Sequence, residues 1–173
     1  MYQTSIDDSW EEPVDLAGLK AYLSLRDGRV DDSYLLHLAA TAREMLEEGP
    51  LDGVISARRF QADVSEGMAD APIRLFGPLL SVDSVEYTDT DGDAAELDDW
   101  TAILGPRALL SVEWPDDIDG DLTVTYTAGY EHVPLPIVQA VKSVSRNLYE
   151  RRDGDPLTPD IVRMVQPYRR LAV

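Results

Sequence analysis

The chain has 173 residues, 44% of them hydrophobic, enough to build one domain around a buried core. It contains no cysteine, which excludes disulfides, thiolate catalysis and cysteine-ligated metal sites. With 33 acidic against 15 basic residues the formal net charge is -18, so the chain is not expected to grip a nucleic-acid backbone, whose phosphates only Lys or Arg neutralise.

The first residues, MYQTSIDDSWEE, are polar and acidic, and residues 1–12 are expected to form a flexible arm. They lack the basic start and apolar middle of a secretory signal, and no later run approaches the length of a membrane span. In EPVDLAGLKAYLSL, Leu16, Leu19 and Leu23 recur at helical spacing behind Asp15, a capping residue, while Gly18 weakens the helix. The turn RDGRVDD leads into DDSYLLHLAATAREMLEEGP. There Leu35, Leu38, Ala42 and Met45 share one stripe and Gly49-Pro50 ends the second helix.

From Val54 the texture changes to short apolar runs broken by turn residues. VISARRF, APIRLF, SVDSVEYTD, WTAIL, RALLSVEW and DLTVTYT each read as a strand. The last alternates cleanly, with Leu122, Val124 and Tyr126 on one face and three threonines on the other. DTDGDA and DDIDGDL supply the Asp-Gly turns that hairpins favour. Gly129, with Pro134 or Pro136, then turns the chain into a long helix. Ile137, Val141, Val144 and Leu148 form its apolar stripe, and Arg151 and Arg152 stand near the end where the helix dipole favours cations. A short turn capped by Thr158, with Pro159 at its first position, stops at Pro167 and leaves the basic aromatic tail PYRRLAV.

The expected class is therefore α+β: two N-terminal helices, a small antiparallel sheet, a long C-terminal helix and an extended tail. The expected domain, residues 13–166, carries a β insertion at about 54–128, and residues 167–173 form the tail.

Chemical motifs are sparse. Asp89-Thr-Asp91-Gly-Asp93 and Asp117-Ile-Asp119-Gly-Asp121 contain the oxygen ligands calcium favours. Their glycine comes fourth, however, where a calcium loop needs it sixth with a glutamate at twelve. Both lie between strands, where Asp-Gly is turn chemistry. His37 flanks an amphipathic helix, and His132 stands in the loop before the long one. Ser143 and Ser145 fall mid-helix, where a nucleophile is poorly exposed. Paired carboxylates carry no signal among so many acids, and no Walker or dinucleotide glycine pattern occurs. No catalysis, cofactor or metal is expected. Trp100, Trp114, Tyr126 and Tyr130 suit a core or an interface equally, whereas Tyr168, beside Arg169 and Arg170, suits docking. Lys20 and Lys142 are the only lysines. An acidic, lysine-poor surface suits saline surroundings, although a GC-rich coding bias has the same effect.

Taken in order, EPVDLAGLKAYL, DDSYLLHLAATAREMLEE, IRLFGPLLSVDSVEYTDTDGD, a strand followed by WP, LTVTYTAGYEHVPLPIVQAVKSVSRNLYERRD and a closing PYRR make a set. That set resembles the head–tail connector, or adaptor, proteins of tailed phages and related gene transfer agents, from Glu12 to Arg170. GVISARRFQADVSEG departs from the family pattern. The resemblance implies a structural protein of the virion neck, assembled in the host cytoplasm. It implies a ring of identical copies, commonly twelve, joining the portal protein to a stopper or tail-completion protein while DNA passes through the lumen. It also implies a portal-binding tail, here Pro167, Tyr168, Arg169, Arg170 and Leu171. The ring contact falls on the long helix, here Ile137, Val141, Val144, Leu148, Arg151 and Arg152. A stopper or head-completion protein is the neighbouring alternative; a small enzyme or calcium module using the aspartate turns is the alternative from another class.

Overall fold

The computed structural model describes residues 1–7, 10–25, 30–65, 71–114, 121–150 and 154–170. The described residues form two compact units. A sheet unit comes from Met1–Trp10, Ala57–Tyr130 and Arg170, and a helical unit from Glu11–Ser56 and Glu131–Arg169.

The sheet unit contains β1 (Tyr2–Ser5), β2 (Arg58–Val64), β3 (Ile73–Arg74), β4 (Leu79–Thr88), β5 (Ala94–Glu96), β6 (Trp100–Ile103), β7 (Leu109–Val112) and β8 (Leu122–Ala128). They form two antiparallel sheets, ordered β1-β2-β8-β4-β5 and β3-β7-β6. Strand β8 occupies the centre of the larger one. Its alternation is fully expressed: Leu122, Val124, Tyr126 and Ala128 are completely buried, and the threonines between them are half-buried. On one side Phe60, Ala62 and Val64 of β2 stand opposite Tyr126, Val124 and Leu122. The Phe60 ring stacks on Tyr126 at 5.5 Å between centroids, and Phe76 meets Phe60 edge-on at 5.2 Å.

Strand β4 solves a spacing problem. Its apolar residues Leu79, Val82 and Val85 recur every third position, which a regular strand would send to alternate faces. Register shifts between Leu79 and Ser81 and between Val82 and Ser84 bring all three opposite the buried residues Ala128, Tyr126 and Val124.

The helical unit contains α1 (Leu16–Tyr22), α2 (Asp32–Leu46), α3 (Leu135–Glu150) and α4 (Pro159–Val165). Helix α2 packs on α1 and α3, and α3 on α4. Buried residues include Leu19, Leu35, Leu38, Ala42, Leu46, Ile137, Ala140, Val141, Val144, Ile161 and Val165. Asp15 caps α1 by accepting the Gly18 N–H at 2.7 Å. A Cβ on Gly18 would lie 2.5 Å from that same carboxylate oxygen, so this glycine serves the cap and does not merely weaken the helix. Asp31 caps α2 through the Ser33 N–H at 2.9 Å. Arg43, 4% exposed, donates to Glu47 at 2.6 Å, to Glu44 at 3.2 Å and to Glu12 at 3.4 Å. The other Glu47 oxygen accepts the Ile55 N–H at 2.7 Å. Burial pushes the Glu12 carboxyl above the usual range, against the opposing pull of Arg43.

Several expectations need correction. Residues 2–5 of the supposed loose arm are a strand paired with β2, so the first element is a strand and not a helix. The short polar run YQTS holds because Gln3 is anchored. Its side-chain oxygen accepts the Tyr126 hydroxyl and the Phe76 N–H (3.0 Å), and its NH2 donates to Arg74 O at 3.3 Å. The expected single small sheet is two sheets. The strand expected at Val54–Phe60 begins at Arg58, because buried Val54 and Ile55 belong to the helical unit. Strand β5, with its two alanines, was not anticipated. The expected single domain at 13–166 is two compact units, and the helical one is built from segments on both sides of the sheet residues.

Tyr126→Phe should lower stability at neutral pH by about 1–2 kcal/mol, because Gln3 loses the hydroxyl it accepts. Burial raises the Tyr126 hydroxyl well above the ordinary tyrosine value. Above about pH 10 the unfolded chain therefore sheds a proton that the folded chain keeps. Stability contributed by this group is full below that pH and declines as pH rises; denaturant titrations should find part of the decline missing in the variant. Arg43→Met should cost about 3 kcal/mol or more by leaving carboxylates unpaired, measured the same way.

Candidate assembly surface

Helix α3 starts where the sheet strand β8 stops. Gly129 adopts φ 116, closed to most side chains, and its N–H donates to Pro78 O at 2.8 Å. Pro134 O then accepts the N–H groups of Ile137 (2.9 Å) and Val138 (3.1 Å), opening α3 with Pro136 in its first turn. Of the six residues assigned to a ring contact, Ile137, Val141 and Val144 are fully buried inside their own unit, and Leu148 is half-buried. A side chain enclosed by its own helix neighbours has no surface left for another copy, so the apolar stripe is core. Arg151 and Arg152 lie outside the described residues. The outward positions of α3 are Leu135, Gln139, Arg146 and Glu150, with Arg146 donating to Glu150 at 2.8 Å. Leu135 is 81% exposed, the most exposed large apolar side chain among the described residues. It stands two positions from Ile137, across the helix from the stripe, and that offset is the signal that could have found it.

The tail is likewise only partly free. Gln166–Tyr168 form one tight helical turn after α4, and Arg169 N–H closes it on Gln166 O at 3.2 Å. Pro167 and Arg169 are exposed and Tyr168 is half-buried. Arg170 is 8% exposed, and its guanidinium donates to Leu75 O in the sheet unit. The extended tail expected from Pro167 is thus a helical turn followed by an inward arginine, which no spacing in the sequence reveals. Leu171 lies outside the described residues. Thr158 occupies the N-cap of α4 without a capping hydrogen bond from its hydroxyl.

The chemical candidates do not converge. His37 and His132 are exposed on separate elements. Ser143 Oγ lies 3.1 Å from Tyr22 Oη, and Ser145 donates to Val141 O at 2.8 Å, a buried bond within α3. The Asp89 carboxylate accepts the N–H groups of Asp91 and Asp93 at 2.9 Å each, which makes it the keystone of the β4–β5 turn. Asp117 and Asp119 lie outside the described residues. Among the described residues no group of three or more His, Asp or Glu could hold a metal ion. Tyr126 is core, and Trp100, Trp114 and Tyr130 are half-buried.

No family model and no curated protein matches the sequence. The fold, in contrast, is shared along its whole length with solved structures. A chain of the virion of a native gene transfer agent particle superposes with a TM-score of 0.81 at 19% identity, covering 100% of this chain and 97% of that one. A chain from the neck of the empty particle, computed with C6 symmetry, gives 0.80 at 17% identity. One from the neck of the native particle, computed with C12 symmetry, gives 0.78 at 17% identity. Both neck chains show the same two coverages.

Arg170→Ala should lower stability by about 1–3 kcal/mol, because it removes a buried donor from Leu75 O. Chemical denaturation reads the loss; an unchanged midpoint would mean that Arg170 is available for docking.

Proposed function

We propose that this chain is a structural neck protein of a tailed virus or gene-transfer-agent-like particle, located at the portal vertex. In this reading identical copies form a ring that joins the portal to a stopper or tail-completion protein, and the chain catalyses nothing. The observation that carries it is the full-length likeness of fold to chains of the virion and neck of a gene transfer agent, with so little sequence shared. The symmetries of those necks support a ring. The burial of the α3 stripe moves the proposed ring contact on that helix to its outward face, around Leu135. Portal docking rests on the exposed Pro167 and the half-buried Tyr168.

The charge suits a conduit. A net charge of -18 per copy gives a ring that repels the phosphate backbone, so DNA slides through without being gripped.

Two outcomes test this reading. Purified protein mixed with duplex DNA at physiological salt should leave its electrophoretic mobility unchanged; retardation would contradict the repelling channel. Mixed with a portal protein from the same source, the chain should bind at a fixed ring stoichiometry, measured by native mass spectrometry. Leu135→Asp should reduce ring occupancy without altering the circular dichroism spectrum. A portal that captures none of the wild-type chain would overturn the adaptor role.

A further inference from the structure

The described surface carries two patches of opposite character, one in each unit. In the helical unit, Pro50, Leu157, Pro159, Val162, Arg163 and Arg169 line a groove of about 440 Å³. Its apolar floor is open, with Val162 38% exposed. Its cations are also available. Arg163 reaches Asp160 only at 3.4 Å, both side chains lying largely in solvent, a pairing of negligible strength. Arg169 is exposed and forms no ion pair among the described residues. Asp155, at the same groove, accepts the Leu157 N–H at 2.9 Å and keeps its charge, so against the two arginines the lining carries a net positive charge of one.

In the sheet unit the β4–β5 hairpin is the reverse. From Leu79 to Asp99 there are eight carboxylates and no base. Asp89 is consumed in holding the turn, but Asp91 and Asp93 are exposed at its tip, followed by Ala94 and Ala95, small enough to enter a groove.

We propose that the α4 groove receives the acidic β4–β5 turn of a second copy, with Asp91 and Asp93 against Arg163 and Arg169 and the alanines against Val162 and Leu157. This rests on the ring reading above and names one of its contacts. The charge favours such an arrangement: copies bearing -18 each repel, and exposed cations facing the acids of a neighbour offset that repulsion locally. A groove and a turn are different surfaces, so in the ring proposed above the contact is heterologous, each copy giving its turn to one neighbour and its groove to the other.

Charge reversal tests it, with the full chain followed by sedimentation velocity over a concentration series. The wild type should self-associate. Arg163→Glu with Arg169→Glu should weaken association by about tenfold or more, as should Asp91→Arg with Asp93→Arg. All four changes in one chain, or the two double variants mixed, should restore it. All four positions are exposed, so the circular dichroism spectrum should not change. Oligomers that form equally well in the double variants would overturn this contact and leave the ring standing. Double variants that both weaken without mutual rescue would also overturn it. A wild-type chain monomeric throughout would overturn this contact, and the ring itself is decided by its stoichiometry on the portal.

Discussion

Strand β8 is the constraint on which the sheet unit depends. It lies third of five, bonded to β2 on one side and β4 on the other, and every second residue from Leu122 to Ala128 is completely enclosed. Those enclosed residues dictate what their neighbours must present. Strand β2 answers with Phe60, Ala62 and Val64 in simple alternation. Strand β4 cannot, because its apolar residues come every third position, and two shifts of register bring them into line. The outermost strand is held through the same residue, since Tyr126 donates its hydroxyl to Gln3 and so ties β1 to the middle of the sheet. A one-residue slip of β8 would turn all four enclosed side chains outward at once.

The same strand ends at the corner that begins α3. Gly129 takes a backbone conformation closed to most residues, and the prolines that follow pre-set the helix. The junction is a change of secondary structure, and His132 stands exposed within it. The residues downstream then close a helical core and leave Leu135 outside.

How much of this was legible follows from which signals are periodic. The stripes of α2 and α3, the alternation of β8, the cap Asp15 and the turn at Asp89–Asp93 all obey local rules, and local rules are readable. Strand β1 was not, because YQTS has neither apolar alternation nor bulk; it is a strand only because a tyrosine more than a hundred residues away accepts it as a neighbour. Strand β5, Ala-Ala-Glu, fails for the same reason. An apolar stripe says that a helix face is buried but not by what. The resemblance implied a contact with another copy for this stripe, whose Ile137, Val141 and Val144 are enclosed within their own unit. Arg170 makes the converse point: a terminal arginine next to a tyrosine has the composition of a docking peptide, yet it donates to a carbonyl of the sheet unit. Both misreadings concern long-range partners, which no local spacing encodes.

The account that emerges is of a chain whose chemistry lies in its surfaces, acidic over most of the molecule and locally basic beside α4. Its central claim is that these surfaces build a ring at the portal vertex. The most direct measurement is cryo-electron microscopy of particles from cells that express this chain, focused on the neck. The account predicts density for this fold repeated around the axis beneath the portal, with acidic side chains facing the lumen. Particles whose neck lacks this chain, or that carry it elsewhere in the shell, would contradict it.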